Sequence, residues 1–271
     1  MIIELTKYTY RKIIVLTGAG ISVSAGIPDF RSPKIGLYAT LKKKYDMDDP
    51  SEIFSLQKFF DSPELFYDFA KEFDWTKSDP TPTHYFISFL NHKNLLDMNF
   101  TQNIDCLELK AGIPESKIVA AHGDLSGVKC PRCKASASLD EFKKNVAEGT
   151  IYYWESCHKV PIKPTVVFFG ENLPKKFFHN IDRIENADLG IVIGSSMVVS
   201  PFNSLPSMFP KNANMVTINM ESLSHISKLN GDSSVFLKGK CDDVILELIN
   251  DLGWKEEFDT FVKEMKEKQA N

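Results

Sequence analysis

The stretch Lys12–Ser22, KIIVLTGAGIS, decides the fold. A short β-branched apolar run, Lys12–Thr17, passes at once into Gly18-Ala19-Gly20, which predicts a buried strand turning into a helix. Similar short runs recur at Met98–Thr101, Ile118–Ala121, Thr165–Phe169, Leu189–Ile193, Met215–Ile218 and Val235–Leu237. Short apolar strands separated by helical stretches predict an α/β fold with a doubly wound, mainly parallel sheet.

Composition and charge narrow the class of protein. Of the 271 residues, 43% are hydrophobic and 25% charged, which is ordinary for a globular chain and excludes a disordered one. The net charge is −4, so no global positive field favours direct binding of nucleic acid. No apolar run approaches the roughly 18 residues of a membrane helix, and no long apolar run follows the N-terminus. We therefore expect a cytoplasmic protein without membrane association, and leave entry into the nucleus open.

Two stretches interrupt the strand pattern. Residues 36–82 contain helical patterns without a convincing strand, and residues 124–162 are rich in lysine and contain most of the cysteines. We predict that these insertions together form a small domain of a helical part and a metal-binding module. The large Rossmann-like, nucleotide-binding domain would then comprise 1–35, 83–123 and 163–254. Residues 255–271 are predicted to form a C-terminal amphipathic helix.

The glycine turn and the segment after it favour a phosphate-bearing ligand. Backbone N–H groups at Gly18–Ser22 would attract an anion, and glycine permits close approach. The third glycine of a dinucleotide fingerprint would fall at Val23, so an ordinary strand-to-helix turn is an alternative. Gly26–Ser32, GIPDFRS, then places a carboxylate, an aromatic ring and a guanidinium side by side. Arginine suits phosphate or ribose, whereas the alternative is a surface loop with a local salt bridge.

Together these segments resemble the sirtuin family of NAD-dependent protein-lysine deacylases. Further motifs match in the same order, over about residues 8–254: TQNID at 101–105, HG at 122–123, KP at 163–164, VFFGE at 167–171, GSS at 194–196, INME at 218–221 and GKCD at 239–242. Residues 28–45 are most similar to the cytosolic deacetylase branch, class I. Several motifs in order are far more specific than one.

The resemblance implies a reaction and its residues. An acetyl group would pass from lysine to ADP-ribose, releasing nicotinamide and O-acetyl-ADP-ribose. His122 would be the general base, with Asn103 as the second catalytic residue. Independently, histidine is the commonest base near neutral pH, and His122 follows a predicted strand. The resemblance assigns NAD binding to Gly18, Ala19, Gly20, Ser22, Asp29, Phe30, Arg31, Gln102, Asn103, Ile104, Asp105, Gly194, Ser195, Ser196, Asn219, Glu221 and Cys241.

The substrate implied by the resemblance is an acetylated lysine of a histone or non-histone protein. The substrate-binding residues would be Val167, Phe168, Phe169, Gly170 and Glu171, whose strand would pair its backbone with the peptide. From composition alone this segment is a core strand. Apolar acyl groups are favoured over acidic ones, and we expect a monomer.

The family's zinc module is only partly matched. Its pattern is two Cys-x-x-Cys pairs, and Cys130 with Cys133 supplies the first. At the second, ungapped alignment to Lys163-Pro164 puts Glu155 and His158 at the ligand positions, with Cys157 one residue away. Three outcomes are open: a structural zinc on Cys130, Cys133, Cys157 and His158, a site that uses Glu155 with His158, or no stable zinc. We favour the first set.

Other functions use the same residues. The chain could transfer ADP-ribose to proteins, or remove longer apolar acyl groups, with an unchanged NAD site. A non-catalytic module that binds acyl-lysine is a third alternative, opposed by the complete set of active-site positions. A hydride-transferring dehydrogenase is opposed by the missing third glycine and by the order of the motifs.

Overall fold

A computed structural model of the chain describes residues 10–29, 36–72 and 78–270. Its strands are β1 Ile13–Thr17, β2 Leu96–Thr101, β3 Ile118–Ala120, β4 Val128–Lys129, β5 Ser136–Ala137, β6 Tyr153–Trp154, β7 Val160–Pro161, β8 Lys163–Pro164, β9 Leu189–Ile193, β10 Asn214–Asn219 and β11 Ser234–Lys238. Its α-helices are α1 Leu37–Tyr45, α2 Leu56–Asp61, α3 Pro63–Glu72, α4 Pro82–His92, α5 Leu107–Lys110, α6 Leu139–Glu148, α7 Lys175–Asn180, α8 Cys241–Asp251 and α9 Lys255–Ala270.

Six strands form the main sheet in the order β11-β10-β9-β1-β2-β3, and every pair is parallel. This confirms the predicted doubly wound fold. The chain order reverses between β1 and β9, where Leu16 lies opposite both Phe100 and Val192. A crevice opens at the carboxyl ends of the strands at such a reversal, which is where these sheets bind ligands.

The strand β1 is buried on both sides because its side chains alternate between two cores. Ile13 and Val15 belong to one core, to which α4, α8 and α9 contribute. Ile14 and Leu16 belong to the other, which is covered by α7 and by the 3₁₀ segments Ile181–Asn186 and Phe202–Met208. The continuous apolar run in the sequence therefore reflects a strand covered on both faces.

A third core contains residues of both predicted insertions, 36–82 and 124–162. Its buried residues come from α1 to α3 and from segments between Val128 and Phe168. Phe54, Phe59, Phe66 and Phe168 meet edge to face or tilted, with ring centroids 5.0–6.4 Å apart. The exact division of the chain into domains stays a prediction. Within the described ranges, no helix combines the length and apolar character needed to cross a bilayer.

The predicted strand at 165–169 is absent. The only strand residues next to this run are Lys163–Pro164, which pair with β4. Within the run, Phe169 forms a single parallel bridge with Ser55. The reason is that the backbone bonds of the segment go to loops: Thr165 N–H bonds to Gly127 O, and Val167 N–H to His122 O. An apolar sequence therefore packs here as an irregular connection.

The glycine turn also differs from its prediction, because it opens two 3₁₀ turns, Ala19–Ile21 and Val23–Ala25, in place of a regular helix. Gly20 N–H bonds to Gly194 O across the crevice, at 2.8 Å. That bond is made to another loop, so the backbone here is shaped by a tertiary contact.

Candidate active site and zinc site

Five strands of the main sheet end at the crevice, and the candidate site residues follow them directly. Gly18, Ala19, Gly20 and Ser22 follow β1; Gln102, Asn103, Ile104 and Asp105 follow β2; and His122 follows β3. Gly194, Ser195 and Ser196 follow β9, and Asn219 and Glu221 end β10 or follow it. Parallel strands bring these sequence-distant residues to one edge.

Gln102 links the ends of three strands. Its backbone oxygen accepts a hydrogen bond from Nδ1 of His122 at 3.1 Å, and its side-chain Oε1 accepts one from Ser195 Oγ at 2.6 Å. A carbonyl oxygen only accepts, so Nδ1 of the neutral imidazole must carry the hydrogen. The lone pair is then on Nε2, which is the atom that can take a proton.

A second polar network ties the turn after β1 to the segment after β2. Ser22 Oγ donates to Asp105 Oδ2 at 2.7 Å and accepts from Asn103 Nδ2 at 3.2 Å. Ser22 and Asn103 are 1% and 7% exposed, so the hydroxyl and the amide are protected from solvent, whereas Asp105 is half-buried. Leu107 N–H donates to Asp105 Oδ1, as in an Asx turn. An amide and a carboxylate in this arrangement can recognise a carboxamide.

The glycines of the turn are required by the opposite loop. A Cβ on Gly18 would lie 2.8 Å from Ser195 Cβ, and one on Gly20 would lie 2.7 Å from Gly194 Cα. Gly194 has a φ of +62°, and its own Cβ would lie 2.7 Å from Ile21 N. From the sequence these glycines are predicted to allow close approach of a ligand, whereas in the structure they allow the two loops to pack against each other.

Gly20→Ala should therefore separate the two turns that form the crevice. We expect a loss of about 1–3 kcal/mol in unfolding free energy from overpacking, together with weaker NAD binding. Calorimetric titration with NAD and urea unfolding would measure both effects. Gly231→Ala is the control, because no atom lies within 4 Å of its added Cβ and its φ is negative. Equal NAD affinity and equal unfolding free energy in the two variants would show that the contact between the turns does not require Gly20.

The remaining NAD candidates lie around the crevice rim. Ser196 and Glu221 are exposed, and Asn219 is half-buried, with its Nδ2 donating to Glu221 O at 2.9 Å. Cys241 is buried and begins α8. Asp29 is half-buried, and its backbone oxygen accepts from Leu37 N–H. Phe30 and Arg31 lie outside the described residues.

The predicted substrate segment is partly engaged in internal bonds. Phe169 is exposed, yet its N–H bonds to Phe54 O and its C=O accepts from Leu56 N–H. Phe168 is buried, and its N–H donates to Glu171 Oε2. Glu171 also pairs with the fully buried Lys163 at 2.8 Å. Val167 and Gly170 complete the segment, half-buried and exposed respectively.

The three cysteines of the predicted zinc set come together. One ligand atom each from Cys130, Cys133 and Cys157 lies within 4.8 Å of the others, and all three are free thiols. In a tetrahedral site the sulfurs lie about 3.8 Å apart, since each Zn–S bond is about 2.3 Å. The thiol set therefore fits zinc. His158 and Glu155 are exposed and lie outside this group, so ligation by either stays a prediction.

Removing a thiol should release zinc and loosen the third core, of which Cys130 is a buried member. We expect Cys133→Ser to reduce bound zinc well below one ion per chain and to lower the melting temperature. Elemental analysis and thermal unfolding measure these effects. Cys106→Ser is the matched control, because this thiol lies outside the cluster. Comparison with His158→Ala would show whether that side chain is a ligand, since a ligand's loss should also release zinc.

Several groups at the site were not found from the sequence. Asp242 Oδ1 accepts from Thr83 N–H and Oγ1, and its Oδ2 accepts from Ser24 Oγ, which ties α8 to α4 and to the glycine turn. His84 and Glu108 are fully buried next to Asp105. Asp242 lies in the GKCD motif, which was a usable signal. Nothing local marks the other two, because their partners are distant in sequence.

The fold and the site together define a class: an α/β protein with a dinucleotide-type crevice, a histidine bonded through Nδ1 to a backbone oxygen, and a thiol site suited to zinc. The residues fit a dinucleotide, because a buried amide, a half-buried carboxylate and closely packed glycine turns follow the strand ends at the strand-order reversal.

Comparison with known proteins gives the family. Residues 18–201 match the Sir2 family. "NAD-dependent protein deacetylase hst2" of Schizosaccharomyces pombe is 37% identical over 253 residues, which are 93% of this chain and 75% of that protein. "NAD-dependent protein deacetylase hst2-1" of Emericella nidulans is 40% identical over 96% of this chain and 71% of that protein. "NAD-dependent deacetylase sir2A" of Dictyostelium discoideum is 42% identical over 96% of this chain, which spans about half of that protein (53%).

The chain belongs to the Sir2 family. The predicted resemblance is thereby confirmed.

Proposed function

We propose that the chain is an NAD-dependent protein-lysine deacetylase that transfers the acetyl group to ADP-ribose. The observation that carries this is the hydrogen bond from His122 Nδ1 to Gln102 O, which leaves the basic lone pair on Nε2 at the crevice. The names of its relatives support the activity. NAD, when bound, supplies an electrophilic ribose carbon with nicotinamide as leaving group.

His122 accepts a proton from a ribose hydroxyl in this proposal. The bond to Gln102 fixes its tautomer and ring orientation, as the orienting partner of a catalytic base does. Ser195 holds the side chain of Gln102, so the strand ends β2, β3 and β9 act together. This positioning lowers the entropic cost of bringing the imidazole and the ribose hydroxyl within hydrogen-bond distance.

Asn103 and Asp105 bind the carboxamide of nicotinamide, with Ile104 packing against the ring. The Ser22 hydroxyl is hydrogen-bonded to both Asn103 and Asp105 and holds their side chains in fixed relative positions. Gly18, Ala19 and Gly20 approach the phosphates, with Gly194, Ser195 and Ser196 on the opposite side. Asn219 and Glu221 bind a ribose, and the backbone of Cys241 lies on the adenine side. Asp29, Phe30 and Arg31 also bind NAD in this proposal.

The acetyl-lysine passes between apolar side chains of 167–171 in this proposal. Both backbone groups of Phe169 already have partners, so a bound peptide pairs with Val167 C=O or with Gly170. The exposed Phe169 ring, at 49% exposure, offers an apolar surface to the lysine stem. Substrates are acetylated histone or non-histone proteins.

The domain division is proposed as predicted, with 36–82 and 124–162 forming the small domain. Their shared third core supports it. The chain acts as a monomer in the cytoplasm, with the nucleus as a second candidate compartment, and needs no nucleic acid or membrane. It holds one structural zinc on Cys130, Cys133 and Cys157, with His158 as the proposed fourth ligand.

The test is mass spectrometry of an acetyl-lysine peptide incubated with the chain and NAD. We expect loss of one acetyl group per nicotinamide released, with acetylated ADP-ribose as co-product. Nicotinamide release with an unchanged peptide would redirect the function to ADP-ribosyl transfer or to another acyl group. If no NAD is consumed, the proposed enzymatic activity is wrong. A peptide bearing a longer apolar acyl group measures chain-length preference.

A further inference from the structure

One carboxylate joins three segments that come from distant parts of the chain. Oδ1 of Asp242 accepts hydrogen bonds from the N–H of Thr83 at 3.0 Å and from its Oγ1 at 2.6 Å. Oδ2 accepts a hydrogen bond from Ser24 Oγ. Asp242 lies in the first turn of α8, Thr83 in the first turn of α4, and Ser24 in the 3₁₀ turn Val23–Ala25. Both oxygens of the carboxylate are therefore bound, each to a different element.

The bonds to Thr83 have a structural explanation, whereas the bond to Ser24 needs another one. Thr83 N–H is among the first N–H groups of α4, which have no acceptor inside their own helix, and the carboxylate provides one from outside. Thr83 is fully buried, so this acceptor stabilises the start of α4. Ser24 is exposed, and water could replace the carboxylate as its partner. The bond to Ser24 therefore contributes little to stability, and its main effect is to fix the position of the turn.

The two segments that this bond connects belong to different parts of the proposed NAD site. Ser24 lies in the chain that leaves the glycine turn, to which the phosphates are assigned. Cys241, assigned to the adenine side, directly precedes Asp242. The start of α8 is also bonded to the end of β10, because Gly239 N–H donates to Asn219 O at 3.1 Å. The bond from Ser24 to Asp242 is thus a direct polar link between the glycine turn and the adenine side.

We propose that Asp242 is a positioning residue for NAD: by binding Ser24 it fixes the glycine turn relative to the start of α8, so that the phosphates and the adenine meet surfaces already in place. This inference rests on the proposed function, which assigns these parts of NAD to the two segments. In this role the carboxylate acts through Ser24 and Cys241 and makes no contact with NAD. Without the link, binding must first order the two segments, which lowers the affinity.

The expected effect is on binding and not on the chemical step. ADP-ribose contains the phosphates and the adenine but no nicotinamide, so its affinity reports the two connected segments. We expect Asp242→Ala to weaken ADP-ribose and to raise the KM for NAD about 3- to 10-fold, with kcat and the KM for peptide unchanged. Asp242→Asn should recover most of that loss, because its amide oxygen can accept from Thr83 while its N–H donates to Ser24 Oγ.

The experiment measures calorimetric titration with ADP-ribose, the two KM values, kcat and the melting temperature. Asp243→Ala is the matched control, because it removes the same charge from the same turn of α8 and its side chain is exposed. Ile245→Val is the control for lost stability, because this side chain of α8 is fully buried. Ser24→Ala and its combination with Asp242→Ala complete a double-mutant cycle. Their effects on ADP-ribose affinity should not add, since either substitution breaks the same bond.

Three results would overturn the proposal: wild-type ADP-ribose affinity in Asp242→Ala, an equal loss of that affinity in Ile245→Val at the same loss of melting temperature, or additive effects of Ser24→Ala and Asp242→Ala. If wild type binds ADP-ribose but does not deacetylate the peptide, the proposed function fails, and the titrations still decide the positioning role. If wild type binds neither ADP-ribose nor NAD, both proposals are wrong.

Discussion

Replacing His122 with alanine should slow deacetylation by about 10²- to 10⁴-fold, the usual contribution of a general base. The variant retains the amide and carboxylate of Asn103 and Asp105, so NAD binding should change little. A general base must be oriented towards the proton that it takes, and here the bond from Nδ1 to Gln102 O fixes that orientation. The loss should therefore fall on kcat more than on KM.

Single-turnover rates of acetyl-peptide consumption and calorimetric titration with NAD measure the two quantities separately. His179→Ala is the matched control, because this histidine is exposed on α7. Added imidazole should partly restore the rate of His122→Ala and leave the control unchanged. A variant that keeps the wild-type rate and releases nicotinamide normally would remove His122 from the mechanism.

The sheet was predictable because local sequence and tertiary environment agree there. In β1 the apolar run indicates a strand, and the hydrophobic cores on both of its faces stabilise that strand. At 165–169 the same kind of run was misleading. Its backbone bonds go to Gly127, His122 and Phe54, and no sequence pattern reveals such distant partners. The 3₁₀ turns after Gly18 have the same origin, since the bond to Gly194 O is a tertiary contact.

The site was predictable where motifs lie at strand ends. Parallel strands bring their carboxyl ends to one edge, so Asn103, His122 and Ser195 were singled out by their places after predicted strands together with the family resemblance. The cluster of His84 with Glu108 was not found, because His84 lies in an apolar helix whose spacing indicates packing and Glu108 lies in a four-residue helix with no pattern of its own. Their burial next to Asp105 depends on the crossing of α4 and α5, which only the folded chain shows.

Lys163→Met should produce the largest loss of stability, about 3–5 kcal/mol, because it leaves the nearly buried Glu171 carboxylate with only the longer pair to the exposed Lys134, at 3.4 Å. The Lys163 side chain is 0% exposed; it pairs with Glu171 at 2.8 Å and donates to Val166 O at 2.6 Å. Burial lowers the pKa of Lys163 to about 8, against the opposing effect of Glu171. For Glu171, burial is outweighed by Lys163, and its pKa is lowered. Both groups are thus charged at pH 7.

Urea unfolding of Lys163→Met, Glu171→Gln and the double variant measures the coupling between the two groups. The double variant should recover part of the loss, because no unpaired charge is then buried. Lys255→Met is the control: its pair with Asp259 is more than half exposed, and such pairs contribute about 0–1 kcal/mol. If Lys163→Met and Lys255→Met unfold at the same urea concentration, the buried ion pair does not contribute the expected stability.

The same ion pair should also affect substrate binding. Glu171 Oε2 accepts the N–H of Phe168, so the pair fixes the turn that presents Phe169 at the surface. Loss of Lys163 frees this carboxylate to turn towards water, and the turn then loses its internal acceptor. We expect Glu171→Gln to raise the KM for acetyl peptide and to leave the KM for NAD unchanged, because the NAD candidates lie on the sheet edge. Equal changes in both constants would mean that the pair supports the whole fold and not the peptide segment in particular.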